Sequence, residues 1–172
     1  MNTLGITGYE QIFLGLYLIA HGLIHGVFLF YFKDSKTNIF TGWSGKSLYS
    51  TFLSDNLNKI TGRVVWFLVA LLFTVSGLGT LDIIDFGEML IPFIAITSLV
   101  GIVAYVLYFT GLEPTPYHWI LGLLVDLVII SFIMFFSSNI EMLLVLLIVI
   151  WLYGMFVHIK LVNLFTKNVS IS

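Results

Sequence analysis

Residues 15–31 read GLYLIAHGLIHGVFLFY, from Gly15 to Tyr31. The run is apolar enough to enter a bilayer, yet it carries two imidazoles, His21 and His25, four residues apart. On a helix that spacing puts both on one face, one above the other. Gly22 and Gly26 follow them directly and thin the helix surface there. Ionisable groups inside hydrocarbon are expensive to hold, so the first expectation is that they serve a function. The rest of the chain is therefore read for partners at the same depth.

Composition sets the solvent. Of 172 residues, 59% are hydrophobic and 9% charged, with a mean hydropathy of +1.08. Soluble domains carry about 25% charged residues, and one core of this size could not hide so much apolar surface. The expected solvent is lipid. Cysteine is absent, which excludes disulfides, thiolate metal sites, iron–sulfur clusters and thiol redox chemistry. A net charge of -2 argues against a nucleic-acid surface. The first eight residues hold no Lys or Arg, so a cleavable signal peptide is not expected and the first helix should remain.

About 20 apolar residues cross a bilayer as a helix. That rule predicts an all-α, polytopic transmembrane bundle forming a single domain over 1–172. Its five spans fall at roughly 10–32, 64–83, 89–111, 118–137 and 141–163. Lys33, Lys36, Lys46, Lys59 and Arg63 follow the first span, and Lys160 and Lys167 close the last. The connection between spans two and three holds Asp82, Asp85 and Glu88 and no base. By the positive-inside rule the N-terminus is outside and the C-terminus cytoplasmic, in a cell membrane.

The inner segment from Asp34 to Gly62 is too long for a tight turn. Thr41-Gly-Trp-Ser-Gly reads as a turn. Leu48, Phe52, Leu53, Leu57 and Ile60 then recur at helical spacing, which predicts a short helix in the interface plane between spans one and two. Trp43, Tyr49, Trp66, Tyr108, Tyr117 and Trp119 would form an inner aromatic belt. Glu113-Pro-Thr-Pro-Tyr-His118 is a stiff connection that resets the chain for span four, and Pro92 falls in the first turn of span three. Glu10 and Gln11 read as a hydrated pair at the outer end of span one, and His118 as an interface residue.

Spans four and five share a short echo. Trp119-Ile-Leu-Gly122-Leu-Leu-Val-Asp126 aligns with Trp151-Leu-Tyr-Gly154-Met-Phe-Val-His158. In each, a glycine precedes the ionisable group by one turn, and small residues let helices approach closely in lipid. An inverted duplication is one origin of such an echo.

Helix rise converts these positions to depth. Counted from the inner boundary, His25 lies roughly 12 Å deep, His21 roughly 18 Å, Asp126 roughly 13 Å and His158 about 7 Å. His25 and Asp126 are thus expected in one layer, with His21 and His158 a turn to either side. A carboxylate near mid-membrane costs about 2.5–3.5 kcal/mol on insertion scales, and burial disfavours its charged form. An adjacent imidazole offers relief.

Several roles fit that cluster. The bland one is a polar clasp that sets helix register. Cation or proton handling is the leading functional one: His21, His25 and Asp126, with His158, supply ligands of the kind that a divalent metal such as Zn, Fe or Ni accepts. The same groups could relay protons. Metalloprotease chemistry is disfavoured, because Gly22 stands where the general-base Glu belongs. Haem b in a membrane anchor is a further alternative, with His25 and His158 as the axial pair. The last is an accessory subunit without chemistry, docked to a larger membrane complex or to further copies of itself. No hydrolase elbow, phosphate loop or dinucleotide fingerprint occurs, so the reading leans away from an enzyme.

HGLIHG in the first span, the TGWSGKS turn and Gly62-Arg-Val-Val-Trp66 opening the second resemble uncharacterised small multi-pass membrane proteins of prokaryotes. The likeness covers about the first 80 residues. It implies a helical membrane bundle and no particular activity.

Overall fold

In a computed structural model, residues 8–33, 40–48, 52–113, 117–135, 143, 145–150 and 152–153 are described. Helix α1 spans Tyr9–Val27, α2 Asp55–Thr80, α3 Leu90–Tyr108 and α4 Tyr117–Phe135. Backbone at 143, 145–150 and 152–153 is helical as well, within the expected fifth span. Three helical stretches, Tyr9–Val27, Asp55–Thr80 and Gly87–Gly111, are long and apolar enough to cross a membrane. Their outward faces carry exposed Leu16, Leu23, Phe67, Leu71, Ile96 and Val103, an apolar surface that water would not tolerate in a monomer.

Close backbone approach builds the first helix pair. Helix α1 packs chiefly on α2. A Cβ added to Gly77 would meet the Gly15 carbonyl oxygen at 2.5 Å, and one added to Gly22 would meet the Ala70 carbonyl oxygen at 2.8 Å. Without a hydrophobic force between helices in lipid, such contacts supply much of the attraction. At the N-terminal end of α1, Gln11 Nε2 donates to Asp82 Oδ2 at 2.7 Å. Gln11, expected in a hydrated pair with Glu10, thus also ties α1 to the turn after α2.

At the opposite end, the one expected to be inner, the structure differs from the expectation. After Val27 the chain turns into strand β1, Tyr31–Lys33, which pairs antiparallel with β2, Phe40–Trp43; β2 pairs in turn with β3, Leu112–Glu113. Thr41, Gly42 and Trp43 are thus strand, not turn. Gly42 sits at φ 108° against the Phe30 carbonyl oxygen, where no Cβ fits. Among the described residues, no separate helix stands between α1 and α2. Ser54 instead caps α2, accepting from Leu57 N–H at 3.4 Å, and residues 55–60 are its first turns. Asn58 explains the choice: it is buried, accepts from Ser47 Oγ at 2.6 Å and donates to the Gly45 carbonyl oxygen. That network ties the 44–48 loop to an upright α2.

The aromatic belt is corrected at three of its members; Tyr49 and the side chains of Tyr117 and Trp119 lie outside the described residues. Trp43, Trp66 and Tyr108 are 4%, 0% and 1% exposed, so they belong to the core. The Trp43 indole fills the space where Gly62 and Gly111 leave no side chain, and its Nε1 donates to the Lys46 carbonyl oxygen at 2.7 Å. The sheet and this indole close the inner end of the bundle.

Candidate functional site

The buried face of α1 reads Leu14, Leu18, His21, His25 and Phe28, a helical stripe that carries both imidazoles into the core. Asp126 arrives from α4 and is fully buried. Its Oδ1 stands 2.8 Å from His21 Nε2, and its Oδ2 stands 4.0 Å from His25 Nε2. His25 Nε2 is 3.2 Å from His21 Nε2. The three side chains expected to meet do meet, with ligand-capable atoms within 4.8 Å of one another.

The pairing within the cluster differs from the depth count. Asp126 bonds His21, not His25. The depth estimate assumes helix up to the boundary, but residues 28–33 turn and extend, so helical rise does not apply to them. His158 lies outside the described residues. His118 is in the first turn of α4, at the inner end.

Proton accounting makes the cluster unusual. A single imidazole nitrogen has one lone pair or one hydrogen. His21 Nε2 therefore cannot both donate to Asp126 and accept from His25. One of its two close contacts lacks a matching partner in any tautomer that satisfies the other. Asp126 Oδ2 and His25 Nδ1 are buried with no hydrogen-bond partner among the described residues. Lone pairs converging in a dry layer are costly by themselves, and they are what a cation takes.

Aromatic rings seal the inner side. His25 stacks on Phe73, centroids 5.3 Å apart and planes 6° apart, with Trp66 at 5.8 Å and Tyr105 at 5.2 Å. Such enclosure fixes the imidazole and lowers the local dielectric. Toward lipid, Tyr17 stacks on His21 at 6.3 Å. A crevice of about 310 Å³ between α1 and Ile148 of the fifth helical stretch reaches the His21 edge. The axial pair of the haem alternative, His25 and His158, is not complete among the described residues, since 158 lies outside them.

Sequence reading missed Tyr105 and Ser98 and placed Trp66 in the aromatic belt. All three are buried, and Tyr105 Oη, Trp66 Nε1 and Ser98 Oγ have no hydrogen-bond partner among the described residues. A signal existed for Tyr105. Gly101-x-x-x-Tyr105 repeats the Gly122-x-x-x-Asp126 spacing, a glycine one turn before a polar group. The two motifs interlock: a Cβ on Gly101 would strike the Asp126 carboxylate, and a Cβ on Gly122 would strike the Tyr105 hydroxyl. Deeper in the outer half, Ser76 Oγ donates to Thr97 Oγ1 at 3.2 Å, both buried.

Compared with known proteins, the chain matches no family model, no curated protein and no solved structure.

Proposed function

We propose that this chain is a multi-pass protein of the cell membrane that binds a divalent transition-metal cation at His21, His25 and Asp126. The observation that carries the reading is the convergence of His21 Nε2, His25 Nε2 and the Asp126 carboxylate, 2.8 to 4.0 Å apart, where His21 Nε2 has one lone pair or one hydrogen for two close neighbours. A tetrahedral metal with ligands at about 2.0–2.1 Å separates neighbouring donors by about 3.3 Å. The present spacings bracket that value, so small side-chain shifts would admit the ion. Two imidazoles and one carboxylate are borderline ligands of the kind zinc takes, and three protein donors leave one position open. The reading includes an outside N-terminus and a cytoplasmic C-terminus, supported by the Lys and Arg bias of the loops.

The test is metal content. Protein purified in mild detergent, equilibrated with zinc and freed of excess ion should retain roughly stoichiometric zinc. The His21→Ala/His25→Ala variant should retain none. Saturating zinc should also raise the melting temperature of the wild type, because a ligand bound only by the folded state stabilises it. A wild type that holds no zinc and melts unchanged would leave only the polar clasp.

A further inference from the structure

Two buried oxygens beside the cluster remain unexplained by His21, His25 and Asp126 Oδ1. Asp126 Oδ2 and Tyr105 Oη each lack a hydrogen-bond partner among the described residues. Tyr105 is 1% exposed and Asp126 0%. A buried hydroxyl or carboxylate oxygen left without a partner costs roughly 1–3 kcal/mol, and packing alone could have been served by phenylalanine at position 105.

Both oxygens occupy one seam. The Asp126 carboxylate of α4 lies against Gly101 of α3, and the Tyr105 hydroxyl of α3 lies against Gly122 of α4. Gly101 is one turn before Tyr105 and Gly122 one turn before Asp126. Each group thus faces the other helix's glycine. The reciprocal arrangement seats both unpartnered oxygens in the seam between α3 and α4. The Tyr105 ring is 5.2 Å from the His25 ring, which places its phenol at the margin of the same cluster.

We propose that the Tyr105 hydroxyl is the fourth donor of the site, completing the coordination of a divalent cation held by His21, His25 and Asp126. The assignment rests on the metal-binding reading above. It adds an oxygen donor to a set of three that leaves one position of a four-coordinate ion open. It also accounts for the glycine at 122, since any larger residue would displace the phenol.

Cobalt(II) tests both levels, because it occupies zinc-type sites and its visible absorption reports coordination number and donor set. Cobalt is titrated into detergent-purified wild type, Tyr105→Phe and Gly122→Ala. The wild type should develop the intense visible bands of a four-coordinate ion. Tyr105→Phe, which keeps the ring, should weaken binding by on the order of 10- to 100-fold and shift those bands. Its metal-free melting temperature should hold or rise. Gly122→Ala should reproduce the spectral change. If Tyr105→Phe binds cobalt with wild-type affinity and an unchanged spectrum, the Tyr105 assignment is overturned while the three-residue site stands. If the wild type takes up no cobalt, the site itself falls, and Tyr105 with it.

Discussion

Asp126 Oδ1 and His21 Nε2, 105 residues apart in sequence, stand 2.8 Å apart in the core. Helix α1 packs chiefly on α2 and α4 chiefly on α3, so this polar contact ties one helix pair to the other. Interhelical hydrogen bonds in membrane proteins average only about 0.6 kcal/mol. The tie therefore specifies which faces meet more than it adds stability.

Asp126→Asn separates those two roles. An amide can still bond His21, so the melting temperature in detergent should fall by the equivalent of about 1 kcal/mol or less. Zinc retention, measured by elemental analysis, should be lost because the anionic donor is gone. An Asn variant that keeps its zinc would remove Asp126 from the ligand set.

Glycines on α1 are predicted to differ in sign. At Gly22 an added Cβ would stand 2.8 Å from the Ala70 carbonyl oxygen, whereas at Gly26 its nearest neighbour would be the Ala70 Cβ at 3.9 Å. Gly22→Ala should destabilise by about 1–3 kcal/mol through overpacking. Gly26→Ala should be neutral or stabilising by up to about 1 kcal/mol, the helix-propensity difference. Thermal unfolding of the two variants side by side checks this, and equal losses would refute the packing given for α1 on α2.

The inner cap makes its own prediction. Trp43→Phe loses the hydrogen bond to the Lys46 carbonyl and should cost about 1 kcal/mol. Trp43→Ala empties the space over Gly62 and Gly111 and should cost about 3–5 kcal/mol. Zinc content should not change in the Phe variant, because Trp43 touches none of the proposed ligands. A Phe variant that melts as low as the Ala variant would mean that the indole N–H, not the ring, holds the cap.

Orientation can be read from a chain that contains no cysteine. Lys46→Cys and Glu88→Cys introduce single thiols at opposite ends of α2. A membrane-impermeant maleimide applied to intact cells should label position 88 and spare position 46 until the membrane is opened. Labelling of 46 alone would invert the proposed topology, and labelling of both would dispute that α2 crosses.

Hydrophobic runs alone located the long apolar helices and the inward face of α1, because lipid demands long apolar helices and punishes stray charge. The same residues named His21, His25 and Asp126 as neighbours, since ionisable groups in hydrocarbon must find each other. Local pattern misled at the inner end. Leu57 and Ile60 have amphipathic spacing, but Asn58 finds Ser47 and Gly45 only in the folded chain, and that network stands α2 upright from Asp55. Tertiary structure alone decided that Asp126 bonds His21 in place of His25, and that Trp43 and Trp66 turn inward. It also decided that Tyr105 leans over Gly122. These are contacts between distant segments, and a glycine's meaning there depends on what fills the space it leaves.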